Sequence, residues 1–351
     1  MSCFKSLHYD LKLLGARFLL NGYEIRQRTQ ITCQRLEKFG DNIMRKLVLL
    51  ILPLLFAFSF IQPAEEFDAH FKTNFSKNTI DLKKVLSGGP GKDGIPAIDN
   101  PKFIHIKYAD IRDDALGVLL KIENETRFYP FNILVWHEII NDQIGDKYIA
   151  VTFCPLCGSA IAFNKKFAGR IHRFGVTGYL YESNLLMYDS VTESFWSQSL
   201  GQAVIGDYSG RKLEVMDVSL LQLKDVKKKY PNSLMLSTDT GFNRNYNHYP
   251  YEDYETSDAI YFPISKVNAK YHAKEIMYVF RYKNTSFAFP LRTFLSGKFT
   301  HKYSDTVINI INEQGEIKIL IDGEEFPGYY EMWFSWVIHN SDTGVVLDKV
   351  K

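Results

Sequence analysis

The segment Cys154-Pro155-Leu156-Cys157-Gly158 places two thiols three positions apart, a spacing that allows a shared metal ion, a disulfide or reversible redox chemistry. Residues 148–153 read as a strand of β-branched and aromatic side chains, and residues 159–163 read as another, so the pair is expected on a strand-turn-strand hairpin. A thioredoxin-type pair opens a helix instead, where the helix N-terminus lowers the pKa of the first thiol. Proline inside the turn and glycine just after it match a metal-binding knuckle, in which backbone N–H groups point at thiolate sulfurs. Both sulfurs should face one small space.

His137-Glu138 is the nearest companion. Ile133, Leu134, Trp136 and Ile140 are spaced as on a short helix, and the strand that follows the loop at Gly145 returns to Cys154. Cys154, Cys157 and His137 would give two thiolates and one imidazole with a fourth position open, as in a catalytic zinc site or an unsaturated copper site. Copper or zinc fits thiolates better than magnesium or calcium. The other reading of His137 is a hydrogen-bonded packing residue, and Glu138 on that reading faces solvent. A single CxxC is an incomplete zinc pattern. Haem c attachment is disfavoured because Gly158, not histidine, follows the second cysteine, and no GxGxxG opens a helix to hold a nucleotide.

Further polar residues could line a pocket around the pair: Glu138, Asp142, Asn184, Asp189, Ser197, Gln198 and Arg244. The first six can also cap turns or face solvent, and Arg244 beside Tyr246 and Tyr249-Pro250-Tyr251 either holds an anion or stacks in a loop. Gly175 and Gly178 are expected in tight turns.

Met44-Arg45-Lys46 precedes a fifteen-residue apolar run, residues 47–61, and then Gln62-Pro63-Ala64. This reads as a secretory leader over 44–64. The run contains Pro53 and is shorter than the roughly 20 residues that span a bilayer, so contact with a membrane is expected only if it stays uncleaved. Residues 1–43 read as a start-site artefact or a short tail, and residues 65–351 as one exported globular domain, periplasmic or associated with the envelope. Nine of the 42 basic and four of the 40 acidic residues precede Glu65, so the remainder carries 33 Lys+Arg against 36 Asp+Glu, a formal charge of −3. That balance lacks the basic stripe of a nucleic-acid binder.

Compared with itself at an offset of 160, the chain aligns residues 116–130 with residues 276–290, each a strand, a polar turn and a short strand ending at proline. Pseudo-repeats near 103–153 and 263–311 follow, and only the first leads into the cysteine pair. Strand-like pieces outnumber helical ones, and residues 218–230 make the best helix. The expected fold is α+β and mainly β, with mixed or antiparallel sheets, few short helices and an internal duplication.

The ordered motifs HEIIND (137–142), CPLCGSA (154–160), FGVTG (174–178), LMYD (186–189) and WSQ (196–198) resemble the bacterial and archaeal family catalogued as domain of unknown function 3179. The resemblance, over residues of about 100 to 340, implies that these sites matter jointly and names no substrate or metal. Three functions follow from the residues: an exported metal-binding protein, an exported thiol-disulfide redox protein, or an envelope binding module with a structural disulfide. The partner would be a small molecule or an envelope protein.

Overall fold

A computed structural model of the chain describes residue 67, residues 70–251 and residues 253–348. The leader-like segment 44–64 and the stretch 1–43 lie outside the described residues. Strand exceeds helix by 43% to 11%, so the molecule is mainly β as expected. Three short α-helices occur among the described residues: α1 (Phe131–His137), α2 (Leu223–Lys229) and α3 (Trp333–Asn340). None of the described helices is long and apolar enough to cross a membrane.

The largest sheet carries the cysteines. Its strands run in the order Val345–Val346, Thr285–Pro290, Ile276–Tyr282, Gly328–Met332, Ser159–Asn164, Lys147–Cys154 and Ile139–Ile144, with Val215–Met216 pairing beside Ser159–Asn164. A second sheet, ordered Val85–Ser87, Phe174–Tyr181, Asn184–Asp189, Phe195–Ser197 and Gln202–Ile205, supplies the polar side chains next to them. Apolar side chains of residues distant in sequence, including Val118, Val151, Phe163, Val279, Phe289 and Trp336, form one continuous core. Full burial of side chains such as Phe163 or Val279 stabilises the fold by roughly 1.5–3 kcal/mol each.

The aligned segments have the same register. Gly117 pairs with Pro130 and Ile122 with Glu125; at the 160 offset, Met277 pairs with Pro290 and Tyr282 with Thr285. Each hairpin is completed in the same way. An outer antiparallel strand, Ser219–Gln222 or Gly328–Met332, leads into α2 or α3, and the chain returns as a strand parallel to the hairpin's second strand, Leu234–Leu236 or Val345–Val346. Gln222 lies opposite Leu116 as Met332 lies opposite Ile276. The returning units are about 110 residues apart, so a comparison at 160 misses them.

Two local expectations are corrected. The helix expected over 218–230 begins only at Leu223, because Ser219 and Leu221 alternate inward along a strand paired to Leu116–Ile122. Gly175 and Gly178 lie within the strand Phe174–Tyr181 rather than in turns, and the register shifts between Val176 and Leu180 as at a bulge.

Candidate functional site

The strand Lys147–Cys154 turns back into Ser159–Asn164, with Cys154 opposite Ser159 in the register. Cys157 N–H donates to the Cys154 carbonyl at 3.2 Å, and Gly158 follows at φ 54°, the left-handed conformation that favours glycine. A Cβ at position 158 would lie 2.9 Å from the Met332 side chain, so the turn has no room for one. The expected hairpin is therefore present, and no helix opens at Cys154.

Both cysteines are free thiols, with exposures of 1% and 0%, and their sulfurs lie 3.0 Å apart. Burial pushes the Cys154 thiol up, but the Cys157 S–H and the backbone N–H groups of Leu185, Cys157 and Leu156 outweigh it, leaving the thiol below its ordinary value. Burial and then the neighbouring Cys154 push Cys157 well up. The two thiols are thus driven apart, Cys154 toward the thiolate and Cys157 toward the protonated thiol. The Cys157 hydrogen can go to the Cys154 sulfur or to the Ser183 carbonyl, also 3.0 Å away.

Asn184 and Gln198 surround the pair from the second sheet. Asn184 Nδ2 donates to Cys157 Sγ at 3.2 Å and to Gln198 Oε1 at 3.2 Å, while Ser159 Oγ donates to the same oxygen at 2.6 Å. Gln198 Nε2 donates to Thr152 Oγ1 at 3.1 Å, which ties the network to the cysteine strand. Ser197 Oγ reaches Asn184 Oδ1 at 3.5 Å, at the edge of hydrogen bonding. These side chains are buried, so their mutual hydrogen bonds fix the geometry around Cys157 rather than competing with water.

Glu138 ends α1 in the left-handed conformation, at φ 58°, and its side chain turns inward with 6% exposure. Burial, then the charge of Cys154, pushes its carboxyl well above the carboxylate range. Burial thus favours a neutral carboxylic acid near the Cys154 sulfur. The reading of Glu138 as solvent-facing is corrected by that burial.

His137 is engaged elsewhere. Its Nδ1 is 2.8 Å from the Pro96 carbonyl and its Nε2 is 2.7 Å from the Tyr246 hydroxyl, and burial lowers its pKa. Among the described residues no group of three His, Cys, Asp or Glu side chains is arranged to hold a metal ion. Asp142 is bound by Arg127 and Tyr129 at 2.6 Å each. Asp189 caps a turn through the Val191 and Thr192 N–H groups and accepts from Trp196 Nε1. Arg244 stands 5.8 Å from the Trp136 ring.

Other groups at the pair come from segments the sequence left unassigned. Tyr254 is fully buried and its hydroxyl donates to the Leu156 carbonyl in the middle of the CxxC turn, at 2.8 Å. Lys274 lies 3.4 Å over the Tyr254 ring and donates to the Tyr254 carbonyl. Burial, then the acidic neighbours Glu138, Cys154 and Cys157, raises the Tyr251 phenol. From the strand Gly328–Met332, Met332 N–H donates to the Cys157 carbonyl at 2.8 Å, and Glu331 raises the Cys157 pKa further. Glu331 had one sequence signal, a lone acid within the aromatic stretch 329–336. Replacement of Tyr254 by phenylalanine is expected to destabilise the fold by about 1–3 kcal/mol, because the Leu156 carbonyl is left buried without its donor. Urea unfolding measures it, and an unchanged midpoint would show that the bond does not hold the turn.

The fold and site define a mainly β protein built around a buried, asymmetric dithiol. Residues 92–325 match the family model described as "Protein of unknown function (DUF3179)", and the chain belongs to that family. Comparison with curated proteins and with solved structures found no match.

Proposed function

We propose that the protein is an exported thiol-disulfide redox protein whose working group is the Cys154–Cys157 couple. The observation that carries this reading is the 3.0 Å sulfur separation between one depressed and one raised thiol. Two sulfurs bound at about 2.3 Å to one tetrahedral zinc stand about 3.8 Å apart, so the pair is tighter than such a site requires. The Cys154 thiolate attacks one sulfur of a partner disulfide, forming a mixed disulfide and expelling a thiolate. Cys157 then attacks the Cys154 sulfur, expels the second thiolate and closes the protein disulfide. The partner gains two electrons and the dithiol loses two. Export is part of the proposal, since an oxidised pair persists outside the cytoplasm.

Glu138 supports the reading. A neutral carboxyl beside a thiolate is the same proton held on the other group, so Glu138 can take the Cys154 proton without leaving two negative charges in the core. The test is free-thiol counting across a series of dithiothreitol redox buffers, with metal analysis of protein purified without an affinity tag. Two thiols that convert reversibly to none, without bound metal, are expected. Stoichiometric copper or zinc on reduced thiols would establish the metal-binding alternative, and a disulfide inert to dithiothreitol in the folded state would make the pair structural.

A further inference from the structure

The tip of the hairpin that joins Phe174–Tyr181 to Asn184–Asp189 touches the Cys157 sulfur. Tyr181 pairs with Asn184, and the two residues between them, Glu182 and Ser183, are both left-handed, at φ 54° and 63°, in a turn that asparagine and glycine ordinarily fill. Glu182 is held there by Lys84 Nζ at 3.0 Å and by the Ser265 N–H at 2.7 Å. The turn aims two groups at one atom: the Ser183 carbonyl, 3.0 Å from Cys157 Sγ, and Asn184 Nδ2, 3.2 Å from it. The direction of the Asn184 amide follows from its other contacts. Its Oδ1 lies 3.0 Å from the backbone N–H of Ser199, which can only donate, so the oxygen faces Ser199 and the NH₂ faces the sulfur. The second amide hydrogen goes to Gln198 Oε1. Gln198 is fixed in the same way, because its Nε2 lies 3.2 Å from the Ser159 carbonyl, which can only accept. The network therefore ends in an N–H at Cys157 Sγ. The two neighbours of that sulfur play different parts: the Ser183 carbonyl accepts the Cys157 hydrogen while the thiol holds it, and once it is gone the Asn184 N–H meets the charge.

We propose that Asn184 is a catalytic residue of the exchange, its N–H stabilising the negative charge that Cys157 Sγ carries as the protein disulfide opens or closes. The inference rests on the thiol-disulfide reading. In the opening direction an external thiolate bonds to Cys154 Sγ, the bond between the two cysteine sulfurs breaks, and its electron pair stays on Cys157 Sγ against the Asn184 N–H. Closure is the reverse: Cys157 Sγ, its proton first passed to bulk base, bonds to Cys154 Sγ, and the partner thiolate leaves with the electron pair. Both directions cross one transition state in which Cys157 Sγ bears partial negative charge, so a donor fixed in place beforehand acts on each. The titratable groups that interact with Cys157 are Cys154 on its own turn, Glu331 on the strand Gly328–Met332, and Tyr251 and Tyr254 from the chain beyond residue 250. Asn184 does not titrate, so its replacement acts on Cys157 while leaving all of these in the chain.

A chromogenic aromatic disulfide, dithiobis-nitrobenzoate, separates the two steps. Attack by Cys154 releases the first coloured thiolate, and closure by Cys157 releases the second. In Asn184→Ala the rate of the second phase relative to the first should fall about tenfold at neutral pH, the effect of losing one hydrogen bond to a charged group. The inflection in the pH profile of the second phase should move up by about one unit, because the Cys157 thiolate has lost its donor. A residue that only held the fold would slow the phase without moving that inflection. Asn184→Asp, a safeguard should the alanine variant fail to fold, keeps the side-chain size and the oxygen for Ser199, removes the N–H and sets a carboxylate against the sulfur. Its second phase should be slower than that of Asn184→Ala. A first phase without any second in the wild type would overturn the thiol-disulfide reading itself. Two normal wild-type phases, with an inflection that stays in place in Asn184→Ala or a second phase that keeps its rate in Asn184→Asp, would overturn the role of Asn184 alone.

Discussion

Glu138→Gln is expected to lower the rate at which Cys154 attacks an added aromatic disulfide, read from the coloured thiol released, by about 10²–10⁴-fold, the usual contribution of a positioned acid or base. Glutamine keeps the size of the side chain and cannot exchange a proton, so the Cys154 proton must leave a core in which the residue is 1% exposed. Stability should move differently. Burial and Cys154 hold the folded-state pKa of Glu138 well above its ordinary value, so the folded protein binds a proton that the unfolded chain has released. Stability therefore falls as pH rises from the ordinary carboxylate range toward the folded pKa, and the penalty is complete above it. The glutamine variant should lose this part of the pH dependence and melt higher than wild type on the alkaline side. A variant with the wild-type rate at every pH would remove Glu138 from the chemistry.

Gly178→Ala should be the most damaging glycine-to-alanine change among the described residues. At φ +80° the position suits glycine, and an added Cβ would lie 1.9 Å from the Pro90 carbonyl oxygen, a backbone atom that cannot turn aside. Gly88 N–H donates to the Gly178 carbonyl at 2.7 Å, so the bulged strand and the 88–94 segment are fixed to one another. Strained backbone of about 1–2 kcal/mol and overpacking of about 1–3 kcal/mol should together cost on the order of 2–5 kcal/mol. Chemical denaturation reads this directly, and a loss below 1 kcal/mol would mean that the two segments separate freely.

The cysteine hairpin was legible because its signals are local: β-branched flanks, proline in the turn, glycine at the exit. The strand content and the repeated hairpin were legible for the same reason. Asn184 and Gln198 could be named as pocket residues, but nothing in the sequence says that Asn184 meets the Cys157 sulfur while Gln198 holds Asn184 and Ser159, since that depends on how one sheet packs against another. His137 shows the limit from the other side. It does lie on a short helix, but that helix ends at His137 and leads into the strand Ile139–Ile144, which holds Ile140, before the chain turns into the cysteine strand; the ring itself is held by Pro96 and Tyr246, which are distant in sequence. Both side chains are buried, and it is the neighbouring Glu138, where the left-handed residue that ends the helix redirects the chain, that comes under the influence of Cys154. Lys274, Tyr254 and Glu331 reach the site from beyond residue 250, through pairings that no local pattern encodes.

The seam between the two sheet halves is narrow: Tyr330 opposite Ala160 is the one register pair joining Gly328–Met332 to Ser159–Asn164, reinforced by the Met332 N–H bond to the Cys157 carbonyl. The stretch matching the family ends at residue 325, before that seam begins. A polypeptide truncated there would keep both cysteines, Glu138, Asn184 and Gln198, yet it would have an open wall behind Cys157, with solvent in place of Glu331 and Met332. The smallest unit that inherits the closed site therefore extends through the strand Gly328–Met332, and a gene cut at the edge of the recognisable motif would carry the cysteines without their enclosure.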